Sequence, residues 1–121
     1  MFNETLALLF DAHQYFQENS GLAARLAPGP QQAVAGEMGR ITMRLTAVMA
    51  WIMVRRAVTS GRIDEGKAAR SYRLEAGDDI CIADAGLAET LDAHFGYLCE
   101  RSAELYQRIR RLDDLAYGVR H

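Results

Sequence analysis

The chain has 121 residues, of which 50% are hydrophobic and 25% are charged, and its net charge is −2. This length and composition predict one globular domain over residues 1–121 with a sizeable core. The slightly acidic balance argues against binding to nucleic acid or to a membrane surface. Because the chain opens without a secretion signal and its longest apolar run is too short for a membrane span, we expect a cytoplasmic protein.

The first predicted element is an amphipathic helix near the start of the chain. Asn3 is a suitable N-cap, and apolar side chains then recur every three or four residues as far as Phe16. Residues 19–21 end this helix. The sequence Ala-Pro-Gly-Pro at residues 27–30 is a firm break before the next one.

A second, longer helix is predicted over residues 30–59, with Gly61 as its C-terminal cap. One apolar stripe runs from Val34 to Ile52, and a second stripe on another side begins at Ala47. Residues 47–54 form an unbroken apolar run. Since a helix that is apolar on every side must be covered on every side, this helix is expected at the centre of the fold.

The remaining residues predict a short helix and then a long one. The short helix lies over residues 64–71, and turn formers follow at residues 77–79. The last helix is predicted over residues 84–116, with a leucine at every seventh position: Leu91, Leu98, Leu105 and Leu112. This repeat predicts a seam against a neighbouring helix, and the lack of Lys and Arg in residues 76–92 excludes a DNA-binding zipper. The predicted fold class is all-α, a three-helix up-down-up bundle with a short extra helix between the second and third long helices.

Helix lengths predict a subunit interface. At 1.5 Å per residue the second and third helices span roughly 40–45 Å, whereas the first spans only about 22 Å. We expect the first helix to lie beside the start of the second and not to reach Trp51. The far end of the second helix must then be covered by residues 62–80, by a second subunit, or by both. The predicted homodimer contact consists of five residues: Ala47, Ala50, Trp51, Val54 and Val58.

The sequence contains no pattern that predicts catalysis, a cofactor or a metal. His13 and His94 lack a second histidine at metal spacing, and Cys81 and Cys99 are too far apart in the chain for a redox or zinc motif, so buried free thiols are expected. Asp78, Asp84 and Glu89 have the spacing of ligands in a calcium loop. Isoleucines occupy other ligand positions of that loop, and its turn glycine is replaced. We therefore expect a protein that is not an enzyme.

A basic strip on the second helix is the candidate binding surface. It consists of Arg40, Arg44, Arg55 and Arg56, with only Glu37 among them as an acid. One hypothesis is that these arginines dock an acidic partner, because guanidinium groups add specificity to such contacts. The other is that they pair internally with the acidic residues 75–92. The sequence leaves both open.

Residues 44–61 resemble the central helix of the RcdA family, the regulators of CtrA degradation. The shared pattern is Arg44-Leu45-Thr46, Met49-Ala50-Trp51 and Arg55-Arg56-Ala57-Val58, followed by Gly61. The resemblance implies a non-enzymatic homodimer that acts in alphaproteobacteria as an adaptor, delivering cell-cycle regulators to the ClpXP protease. The partners that it implies are the ClpX unfoldase, a response-regulator-like adaptor and the proteolytic substrates.

Two other functions stay open at this point. The chain could be a purely structural helical dimerisation domain whose basic strip is paired internally. It could instead be a small-molecule-sensing bundle with a cavity near Met49, Trp51 and Met53. Methionines fill irregular gaps in a core more often than they line a pocket, which weighs against the second alternative.

Overall fold

The computed structural model describes residues 2–74 and 93–118, and every described element is a helix or a connection between helices. The helices are α1 (Phe2–Glu18), α2 (Ser20–Ala24), α3 (Pro28–Thr59), α4 (Glu65–Ser71) and α5 (Ala93–Tyr117). The all-α prediction, with three long packed helices and a short helix between the second and third, is confirmed. The predicted turn at residues 77–79, the predicted start of the last helix at residue 84, and Leu91 lie outside the described residues.

Helix α3 is central and packs against both α1 and α5. Its ends follow the sequence signals: Pro28 and Pro30 lie in its first turn, and Gly61 adopts a φ of 80° just after its C-terminus. Nearly all core side chains that are fully buried come from α3 and α5 (Val34, Ile41, Leu45, Val48, Phe95, Leu98, Cys99, Leu105, Tyr106 and Ile109), and α4 adds Ala68. The leucine seam of the last helix is thus confirmed at Leu98 and Leu105. No helix of the described residues is long and apolar enough to span a bilayer.

Helix α5 runs in the same direction as α3. Arg44 Nη1 donates to Ser102 Oγ at 3.1 Å, and Trp51 Nε1 donates to Asp113 Oδ1 at 2.9 Å. Residue numbers therefore increase in the same direction along the two helices. Helix α1 runs antiparallel to α3. The predicted up-down-up order therefore holds for α1 and α3, while α5 departs from it. That order assumed a short connection before the last helix, whereas residues 60–92 lie between α3 and α5, and bundles accommodate parallel neighbours through such long crossovers.

Helix α1 reaches the C-terminal half of α3, contrary to the prediction. The Phe2 ring lies under the Arg56 guanidinium, 4.0 Å from ring centroid to Cζ, and the ring of Phe16 lies near Thr42. Residues 19–27, which include α2, separate the two helices, so the exposed start of α3 projects past the end of α1. Since α1 covers the part of α3 that was expected to be bare, helix length no longer argues for a dimer.

Candidate interaction surface on helix α3

Arg44 belongs to a polar cluster inside the bundle. Arg44 and Glu37 are both fully buried, and the Arg44 Nη1 atom donates to Glu37 Oε1 at 2.9 Å. The other Glu37 oxygen accepts from Arg40 Nε at 2.9 Å, and Ser102 Oγ accepts from Arg44 Nη1. Burial of these charges is tolerable because they are paired and hydrogen-bonded. Arg44 is therefore a core residue and not part of a partner-facing strip.

The other three arginines of the predicted strip also have intramolecular contacts. Arg40 binds Glu37, and Arg55 binds Glu65, with an Nη1–Oε1 distance of 2.7 Å. The hydrogen bond that Arg55 donates to Glu65 raises the pKa of Arg55 and lowers the pKa of Glu65. Arg56 is exposed and stacks on Phe2. Internal pairing thus accounts for Arg40, Arg44 and Arg55, through Glu37 and Glu65; residues 75–92, which the sequence suggested as partners, lie outside the described residues.

Trp51 is held by a buried carboxylate on α5. Asp113 is 1% exposed, and its Oδ1 accepts from Trp51 Nε1 at 2.9 Å and from the backbone N–H of Leu74 at 3.2 Å. Its Oδ2 accepts from Arg73 Nε at 3.0 Å. Asp113 therefore fixes the segment after α4 against α3 and α5. The sequence carried a signal for this residue, because Asp113 follows Ile109 by four positions on the buried side of α5.

Four of the five predicted dimer residues, Ala47, Ala50, Trp51 and Val54, line one groove on α3, which is described below. Ala47 is buried and Trp51 packs against the core, while Val54 and Val58 are partly buried. Ala50 is the one member of the set that is exposed. A homodimer through these residues stays a prediction, and Ala50 is the most exposed of the five.

The exposed side of α3 carries no charged side chain between Arg40 and Arg55. Between Arg40 and Arg55 the sequence has one charged residue, Arg44, and that residue is buried. Solvent-exposed helix surfaces normally carry polar and charged side chains, so about four turns without an exposed charge are unusual. We call the exposed residues on this side of the helix, together with Gly39 just before them, the α3 face: Gly39, Thr42, Met43, Thr46, Ala50 and Met53.

A groove of about 360 Å³ runs along one side of the α3 face. Residues of α3 form its floor and one wall, and the end of α4 with the two residues after it forms the other wall. We call it the α3 groove, and its lining residues are Thr42, Met43, Thr46, Ala47, Ala50, Trp51, Val54, Ser71, Tyr72 and Arg73. It contains Trp51 as the sensing hypothesis expected, but Met49 and Met53 are not among the lining residues.

The other side chains that were candidates for chemistry, Cys99 and His94, have structural roles. Burial raises the pKa of the Cys99 thiol to about 12, so this thiol is protonated at neutral pH and unreactive. His94 Nε2 lies 2.9 Å from Asp11 Oδ1 and links α5 to α1. Within residues 2–74 and 93–118, no group of three or more His, Cys, Asp and Glu side chains is placed to hold a metal ion. Cys81 lies outside the described residues.

Comparison with known proteins assigns the chain to a family. The family model described as "Protein of unknown function (DUF1465)" matches residues 1–121. The chain belongs to the DUF1465 family. No curated protein and no solved structure matches the chain.

The predicted resemblance to the RcdA family is wrong, because the family model that matches the chain is DUF1465. That resemblance depended on residues 44–61 of one helix. In the structure Arg44, Trp51 and Arg55 serve the chain's own packing and ion pairs.

Proposed function

We propose that this DUF1465 protein is a non-enzymatic interaction module that binds another protein through the α3 face. The observation that carries the proposal is the absence of exposed charge along this face, between Arg40 and Arg55. Delivery of regulators to ClpXP depended on the resemblance to RcdA alone. We therefore limit the function to binding and leave the fate of the partner open.

The side chains of the α3 face suit a binding surface. Met43 and Met53 are each 51% exposed, and methionine adapts its shape to a partner at little cost. Gly39 and Ala50 are small, so a partner helix could approach the α3 backbone closely. Exposed apolar surface that is contiguous is a common mark of protein–protein contacts.

The predicted homodimer is the second candidate function, and it would use the same face. The observation in its favour is the exposure of Ala50, which belongs to both the predicted dimer set and the α3 face. A dimerisation domain and a module for a different protein make different covalent products when the face is crosslinked.

Photocrosslinking from the α3 face tests the proposal. We expect a benzoylphenylalanine at position 43, in protein expressed in its native host, to form a discrete adduct with another protein on irradiation. Met43 is half exposed, so the replacement leaves the core intact. The matched control carries the same group at Gln17, which is exposed on α1 and is not part of the α3 face.

The crosslinked products decide between the candidates. An adduct with another protein at position 43 and none at position 17 supports the interaction module. An adduct with a second copy of the chain assigns the face to dimerisation. Equal adducts at both positions, no adduct at position 43, or a link within one chain would contradict the proposal.

A further inference from the structure

We infer that the partner's binding element is an amphipathic helix with acidic residues beside its apolar stripe, lying in the α3 groove. This inference rests on the proposed function and specifies the chemistry of the partner. Three features of the groove carry it: its length, its apolar floor and the charges around it.

The groove has the dimensions for a helix. Its lining runs along α3 from Thr42 to Val54, a distance of roughly 18 Å at 1.5 Å per residue, or about three helical turns. Ala47, Ala50 and Trp51 give it an apolar floor. An amphipathic helix in such a groove inserts side chains at positions i, i+3, i+4 and i+7.

The wall that faces α3 contributes an amphipathic side chain. Tyr72 is 40% exposed and lines the groove, so its ring is available to an apolar side chain while its hydroxyl can remain in water. Ser71 beside it adds a hydroxyl group. This wall is held in place by Asp113, through Arg73 and Leu74, and so the groove exists before the partner binds.

The charged groups near the groove favour an acidic helix. Residues 62–73 contain four cations, at positions 62, 67, 70 and 73, against two carboxylates, Asp64 and Glu65. Glu65 is already paired with Arg55, and Arg73 with Asp113 and Asp114, which leaves three cations of this segment against Asp64. Lys67 and Arg70 are exposed, and Lys67 Nζ lies 6.0 Å from the centroid of the Tyr72 ring.

The same cations disfavour a second copy in the groove. Two copies related by a two-fold axis would bring the Lys67 and Arg70 side chains of both chains toward one interface, where like charges repel. A helix with glutamates on both sides of its apolar stripe meets these cations with opposite charge. Complementarity of this kind adds specificity and speeds association.

Trp51 makes binding directly measurable, because it is the one tryptophan of the chain and lines the groove. The probe is a synthetic helical peptide of about 18 residues, or five turns, with leucines along one stripe and glutamates beside it. Two matched peptides replace the glutamates by lysines or scramble the sequence. We expect the acidic peptide to shift the Trp51 emission with a Kd of ~10–100 μM, and the lysine peptide to bind at least ~10-fold more weakly.

Two pairs of variants locate the binding. Ala50→Glu places a charge in the groove and is expected to abolish the response, whereas Gln17→Glu on α1 leaves it unchanged. Lys67→Glu combined with Arg70→Glu is expected to weaken the binding of the acidic peptide at least ~10-fold and to strengthen the binding of the lysine peptide. Arg25→Glu, at an exposed position between α2 and α3, is the control for a general change of charge.

The results separate this inference from the proposed function. Equal binding of the acidic and lysine peptides, or no binding of either, would overturn the inference. If position 43 nevertheless crosslinks to another protein, the proposed function stands and only the partner chemistry is wrong. Self-association that Ala50→Glu abolishes would instead assign the groove to a second copy.

Discussion

Replacing Glu37 by Leu is expected to lower the free energy of unfolding by about 3–5 kcal/mol. Glu37 is fully buried and accepts hydrogen bonds from both Arg40 and Arg44. Its removal leaves the buried Arg44 guanidinium without the carboxylate that it contacts at 2.9 Å. Reversible denaturation in urea, followed by circular dichroism, gives the change.

Variants of Arg44 provide the control for this loss. Arg44→Met is expected to cost less than Glu37→Leu, because Glu37 keeps its bond to Arg40. In the double variant no buried charge is left unpaired by the exchange, and we expect it to be more stable than Glu37→Leu alone. A Glu37→Leu protein within about 0.5 kcal/mol of the native one, the range of ordinary surface substitutions, would show that the buried pair within α3 does not stabilise the bundle.

Replacing Asp113 by Ala is expected to lower the free energy of unfolding by about 2–4 kcal/mol. The change leaves the Trp51 indole N–H and the Leu74 backbone N–H without the acceptor that they share. It also releases Arg73 from its 3.0 Å bond to Asp113 Oδ2. We expect the emission of Trp51 to move to longer wavelength, as water gains access to the indole.

The adjacent residue is a matched control for Asp113. Asp114 is 27% exposed and accepts a hydrogen bond from Arg73 at 3.3 Å. Asp114→Ala is expected to cost under about 1 kcal/mol, as for other solvent-accessible ion pairs, and to leave the Trp51 emission unchanged. Equal effects at the two positions would contradict the role assigned to Asp113 in fixing the groove wall.

The helices themselves were predictable, because their signals are local. Prolines at residues 28 and 30, a glycine at residue 61 and apolar periodicity place the limits of α3 within two residues of those observed. The direction of α5 was not predictable in this way. It depends on which residues of α3 contact Ser102 and Asp113. These contacts join residues that are about 60 positions apart, so no local signal predicts them.

The burial of Glu37 and Arg44 was missed because charged residues were assigned to the surface. Periodicity carried the opposite signal, since these two residues fall on the same side of α3 as Ile41 and Val48. The apolar run of residues 47–54 is, by contrast, more exposed than the sequence predicts. It was expected to be covered on all sides, but Ala50 and Met53 are exposed, and this difference reveals the α3 face.

The availability of the α3 face to a partner is tested most directly by placing a charge at Ala50 and measuring stability. We predict that Ala50→Glu changes the free energy of unfolding by less than about 0.5 kcal/mol, because this position is exposed. Val48→Glu, two residues earlier on the fully buried side, is predicted to cost at least about 3 kcal/mol. If Ala50→Glu is as destabilising as Val48→Glu, the face belongs to the packing of the chain itself, and the account of α3 as a binding surface is wrong.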